Sequence, residues 1–148
     1  MTTHLKAITI WQPWASLIII GAKPYEFRSW LPPKSLVGQR IVNHAAARKT
    51  RLDEVEDLIE RLSDPALAWT TCLRPDIALP FLKGVQGALR MGQQPLPLGC
   101  GLGTAMVGTP VTGARADKLK PKSRHVARTL RAAASDLRAG LHVEGDEK

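Results

Sequence analysis

The sequence predicts a small α+β fold with a helix appended at its C-terminal end, and three features carry that prediction. Short β-branched stretches alternate with helical patterns through the N-terminal part of the chain. The segment Leu52 to Leu62 sets its apolar residues at helical spacing. The last part changes composition: no Trp, Tyr or Phe follows Phe81, and alanine and arginine dominate. These features divide the chain into a compact unit, residues 1–116, and a basic Ala/Arg-rich segment, residues 117–148. With 148 residues, one core can bury roughly two thirds of the unfolded surface, so stability requires neither disulfide nor metal.

Each element has its own signal. Leu5 to Trp11 alternates β-branched and other residues and reads as a strand. Pro13 suits the first turn of a helix that runs through "PWASLIII". Gly21 is its expected stop, in a left-handed conformation. That helix is apolar on more than one side and is expected to be buried on both. "PYEFRSW" reads as a second strand, with Tyr25 and Phe27 on one face and Glu26, Arg28 and Trp30 on the other. Arg40 to Ala46 is a third strand. In the helix at 52–62, Leu52, Val55, Leu58, Ile59 and Leu62 form the apolar stripe, and Asp53 and Glu56 resemble a capping box. Residues 66–94 read as short helices broken at Pro75 and Pro80. A further strand starts near Leu102. Ser123 caps a last helix ending at Gly140, with Arg124, Arg128, Arg131 and Arg138 along one side, followed by a short tail.

Charge and motifs limit the function. The net charge is +8 and the pI about 10.0, which favours anionic partners, nucleic acid before anionic membrane. The longest apolar run, "WASLIII", is far too short to cross a bilayer, and the N-terminus lacks a signal-peptide pattern. A cytoplasmic location is the resulting expectation. Cys72 and Cys100 form no CxxC pair and have no histidine at ligand spacing, so two buried thiols are expected, with no metal. "GCGLG" lacks the strand–glycine turn–helix order of a dinucleotide loop. Its glycines are read as close backbone approach, and no cofactor is expected. His44 reads as a hydrogen-bonded structural residue.

One stretch concentrates chemistry. "GAKPYEFRSW" presses Lys23, Glu26 and Arg28 between aromatic residues directly behind the first helix. Lysine is a compact cation, and arginine a planar fork for phosphate or carboxylate. Glu26 can pair with Arg28 or accept from a base's exocyclic amine. Trp30, with Trp11 and Trp14 upstream, can offer a π-face to a stacked base. On chemistry alone, a structural ion pair is an equal reading.

The run "ITIWQPWASLIIIGAKPYEFRSWLPPKSLVGQRIVNHAA" resembles the ASCH domain family of the PUA-like superfamily. Its GxKxxExR hallmark is matched by Gly21, Lys23, Glu26 and Arg28. The likeness is strongest over residues 5–46 and continues at "LPLGCGLGTAMVGTPV". It implies a PUA-like β-barrel with flanking helices. It also implies a cleft for RNA or a modified nucleoside where the first helix meets the barrel, lined by the motif residues. Some family members are amidohydrolases of acetylated cytidine, and others are described as ribonucleases. In the amidohydrolase branch a nucleophilic threonine stands three residues after the lysine; here Glu26 occupies that place. The aromatic strand that usually closes the barrel near the C-terminus is not found. The resulting expectation is an RNA- or nucleotide-binding domain, with RNA cleavage as its enzymatic form. Lys23, Glu26 and Arg28 are the candidate catalytic residues. Gly21, Lys23, Arg28, Trp30, Trp11 and Trp14 are the candidate binding residues. The alternatives are an amidohydrolase acting on a modified nucleoside, or a non-catalytic regulatory module binding an acidic protein.

Overall fold

Two short sheets and three α-helices make up the fold in a computed structural model that describes residues 4–28, 30–110 and 139–142. In chain order, β1 (Ala7–Ile10) leads into α1 (Trp14–Ile19), then β2 (Tyr25–Arg28) and β3 (Arg40–Ala45). Two helices follow, α2 (Leu52–Ser63) and α3 (Pro75–Arg90), then β4 (Gly101–Met106) and β5 (Ala139–His142). Single 3-10 turns sit at Lys34–Leu36 and Ala68–Thr71. The class is α+β, as the sequence predicted.

The main sheet has the order β1-β3-β4, with β3 parallel to β1 and antiparallel to β4. Alternation along β3 is clean: Ile41, Asn43 and Ala45 are buried, as period-2 geometry requires of a half-buried strand. β2 pairs instead with β5, antiparallel, in a separate ribbon. The closed barrel implied by the family likeness is therefore not formed by the described residues. Where a further strand would pair with β1, the Thr9 carbonyl accepts a hydrogen bond from Arg28 Nη2 at 2.9 Å. A side chain thus takes a backbone acceptor that a closing ladder would use.

Of the appended helix expected from Ser123 to Gly140, residues 123–138 lie outside the described residues. Ala139 and Gly140, its expected last positions, are extended and belong to β5. Leu141 and His142, expected in the tail, pair with Glu26 and Tyr25.

α1 lies between two clusters of the core, and a smaller one gathers Ile41 and Val107. Leu17 packs with Val55, Leu58, Leu62, Ala78, Leu82 and Val85 of α2 and α3. Ala15 and Ile18, on the other side, pack with Ile10 and Ala45 of the sheet. Burial on both sides holds for Ala15 to Ile18, while Ile19 and Ile20 are exposed. Polar side chains pin the helix as well. Gln12 Oε1 accepts from the Ser16 N–H at 3.1 Å, and Asn43 Nδ2 donates to the Ala15 carbonyl at 2.8 Å. The glycines of "GCGLG" serve packing. A Cβ at Gly103 would stand 3.0 Å from Ile19 Cδ1, and one at Gly101 3.1 Å from Val42 Cγ1. The β3–β4 register shifts beside them, between Asn43 and His44.

Three local expectations change. Asp53 and Glu56 make no capping box. Arg51 is the N-cap and no side-chain cap bond forms; Asp53 pairs with Arg51 and Glu56 with Arg90. Pro80 does not break α3, which runs through it. Its ring faces solvent, and the carbonyl it leaves without an N–H belongs to Asp76 in the exposed first turn, where water can bond it. Cys72 is buried as expected but Cys100 is exposed, and neither forms a disulfide.

Candidate functional site

The end of α1 sets the site. Gly21 adopts φ 79°, a left-handed stop that turns the chain back on itself. The Leu17 carbonyl then accepts both the Ala22 N–H, at 2.9 Å, and the Lys23 N–H, at 3.0 Å. The Ala22 carbonyl accepts from the Arg74 N–H at 2.8 Å, tying the turn to the start of α3. These bonds direct Lys23 inward. The space around Gly21 is open, so a side chain there meets no clash and only the backbone conformation resists it. Gly21→Val is expected to cost about 1–2 kcal/mol, and urea unfolding measures it. A loss much above that range would show that the turn is held by more than its backbone.

Lys23 is 5% exposed and Glu26 8% exposed, so both charges are largely out of water. Lys23 Nζ donates to Glu26 Oε2 at 2.8 Å and also to the Tyr25 carbonyl. Its ammonium lies 5.3 Å from the Phe27 ring centre and 5.9 Å from that of Trp14, both within cation–π range. Arg28 Nε lies 2.9 Å from Glu26 Oε1, but its N–H is not aimed at that oxygen and makes no hydrogen bond. The attraction there is Coulombic, and the directed bond of Arg28 goes to the Thr9 carbonyl. Glu26 is thus shared by two cations.

Burial pushes the Lys23 pKa below the ordinary lysine value, against the upward pull of Glu26 and the weaker one of Cys72. Desolvation of a buried ion costs several kcal/mol, of the same order as the attraction of one close partner. Here the direction of the shift says that desolvation wins. The ammonium is therefore a better proton donor than a solvated lysine.

Above these charges opens a cavity of about 470 Å³, lined by Thr9, Ile10, Trp11, Trp14, Lys23, Glu26, Phe27, Arg28, Arg61, Thr70 and Thr71. Its size is within the range of small-ligand sites. No protein-family model matches the chain, and no curated protein does. The cavity itself is the guide to what the site can hold.

Of the residues singled out in the sequence, Lys23, Glu26, Arg28, Trp11 and Trp14 line it. Gly21 does not; its part is the turn. Trp30 is also outside, beside a neighbouring hollow with Lys6, Arg28 and Pro32. β2 ends at Arg28, so strand alternation does not extend to Trp30. Three consecutive residues, Glu26 to Arg28, line the cavity, so it meets β2 along an edge and not one face. That brings in Phe27, which alternation assigned to the far side. Arg61, Thr70 and Thr71 were not foreseen. They arrive by packing of α2 and the 3-10 turn after it, and no local motif marks them. His44 is outside the cavity, with Nδ1 3.3 Å from Thr9 Oγ1. Among the described residues no group of three or more His, Cys, Asp or Glu side chains is gathered to hold a metal. Nor is any helix among them long and apolar enough to cross a membrane.

Proposed function

We propose that the chain is an ASCH-type, PUA-like domain that binds RNA or a nucleotide in this cavity. The observation that carries the reading is the Lys23–Glu26–Arg28 chain of charges at the wall of a ligand-sized cavity with indole sides. Arg28, partly exposed, offers its guanidinium to a phosphate or a base oxygen. Glu26 holds both cations in place. Two cations share one carboxylate, so the cluster keeps an excess of positive charge beside the cavity. The chain's net charge of +8 draws anionic ligands towards the site.

A second reading, RNA cleavage, is favoured by the lowered Lys23 pKa. An ammonium that gives up its proton more easily can protonate a leaving oxygen, and Arg28 can meet charge developing on phosphorus. Incubation of mixed RNA with wild type and Lys23→Ala, with and without EDTA, separates cleavage from binding alone.

For the binding reading, Arg28→Ala is expected to weaken affinity for RNA or nucleotide by about 1–3 kcal/mol, the worth of a charge-assisted contact, and Lys23→Ala to weaken it as well by removing one of the two cations that share Glu26. Titration calorimetry at fixed salt measures it. If both variants bind as wild type does, this cavity is not the binding site.

A further inference from the structure

The Trp11 indole is held by a second set of residues that the motif does not include. Arg48 Cζ lies 4.4 Å from the Trp11 ring centre. Glu54 grips the same guanidinium in a two-point bond, Nη1 to Oε2 at 3.1 Å and Nη2 to Oε1 at 2.6 Å. A second hollow of about 440 Å³ lies on that side, bordered by Arg48, Glu54, Trp11 and Trp14. Trp11 borders both hollows, whereas Arg48 borders only the second. The indole thus carries the arginine and also lines the cavity. Trp11 is 57% exposed. An exposed aromatic ring ordinarily loses rotamer freedom when a ligand orders it. Here the clamp has already removed that freedom. Trp14 does not serve in the same way, because it packs into both core clusters beside α1.

We propose that Arg48, fixed by Glu54, positions Trp11 as a stacking wall for a nucleobase. On this proposal the cavity takes a base joined to an anionic phosphate, whether in a free nucleotide or in an RNA strand, and discriminates against a sugar phosphate alone. The proposal rests on the binding function above and specifies its ligand. Arg48 and Glu54 are positioning residues, and Trp11 makes the contact. The base stacks on Trp11 while its phosphate reaches Arg28, which lines the same cavity.

The test measures binding of adenosine 5′-monophosphate, a short oligoadenylate RNA and ribose 5-phosphate to the full chain. It compares wild type, Trp11→Leu, Trp11→Phe, Arg48→Met and Arg28→Ala. Trp11→Leu and Arg48→Met are expected to weaken the two base-bearing ligands by about tenfold, the worth of one stacked base. Ribose 5-phosphate affinity is expected to stay unchanged in both, and Trp11→Phe to restore most of the loss. Arg28→Ala is expected to weaken all three ligands. A merely structural clamp would lower affinity for all three probes equally in Arg48→Met, and that result overturns the proposal. So does unchanged binding of all three in Trp11→Leu, a result that leaves the charged cavity wall standing if Arg28→Ala still weakens them. Wild type that binds none of the probes overturns both. Relative strength of the two base-bearing arms tells free nucleotide from RNA.

Discussion

Glu26→Gln is expected to lower the unfolding free energy by about 3–5 kcal/mol at neutral pH, the cost of leaving a buried charge without its counter-ion. Two cations lose their shared partner at once, since Lys23 and Arg28 both lie within 3 Å of the carboxylate, at 2.8 and 2.9 Å. Lys23 has a way out: it can deprotonate. At pH 7 that costs a solvated lysine roughly 1.4 kcal/mol for each unit below its pKa of about 10.4, or roughly 4–5 kcal/mol in all. The two estimates fall in the same range, so the penalty is bounded from both directions. The pH dependence follows from the sign of the shift. Burial lowers the Lys23 pKa in the folded chain. Between that value and the unfolded one, the unfolded state binds more protons, and stability rises with pH. Removing Glu26 removes the largest upward influence on Lys23, which widens the window. The stability gap between wild type and Glu26→Gln should therefore narrow as pH rises towards 10. Urea unfolding of both at several pH values gives the gap, and other alkaline titrations largely cancel in the difference. A gap constant from pH 7 to pH 10 would mean that the charge on Lys23 is not what the variant exposes.

Leu17→Ala is expected to cost about 3–4 kcal/mol, within the range for a fully buried leucine whose neighbours relax only in part. Leu17 is completely buried and packs against α2 and α3. Its carbonyl also receives the two N–H groups that form the turn before Lys23. The substitution leaves those bonds in place but removes the packing that holds them. In a domain with roughly 5–15 kcal/mol of stability, such a loss moves the urea midpoint markedly while the slope stays constant. Leu17→Met, nearly equal in volume, should cost under about 1.5 kcal/mol. Equal losses in the two variants would show that volume is not what matters there.

Features of the fold that depend on neighbours in sequence were legible in advance. Gly21 as a stop came out as read, and of the stripe read at Leu52, Val55, Leu58, Ile59 and Leu62 the residues Val55, Leu58 and Leu62 are buried, because helix ends and amphipathic faces are local; Pro13, read as part of the first turn, is instead the N-cap. The same holds for Lys23, Glu26 and Arg28, which one turn and one short strand carry to one place. What was not legible depends on distant packing. Whether Pro80 interrupts α3 is decided by which way its ring points, and that is set by the burial of Ala78, Leu82 and Val85. The capping box failed because Arg51 and Arg90 compete for the two carboxylates, one of them across 34 positions of chain. Arg61 and Thr71 reach the cavity only because α2 and its following turn lie over α1, a long-range arrangement without a sequence motif. The RNA function rests on the family resemblance and on the chemistry of the cavity, and the binding experiments above decide it; the closed barrel that the resemblance implied is not formed by the described residues.

The bare backbone of β4 at Gly103 has a consequence for how accurately the ammonium is placed. Side-chain layers are adjustable: rotamers shift by fractions of an ångström and absorb errors before passing them on. At Gly103 the sheet contributes no side chain of its own, and the Ile19 side chain reaches to 3.0 Å from where a Cβ would stand. The far end of α1 is thus referenced to the main chain of the sheet, and Lys23 follows only four residues later. The tolerance of the site is set there by one side chain, that of Ile19, against the bare main chain of β4.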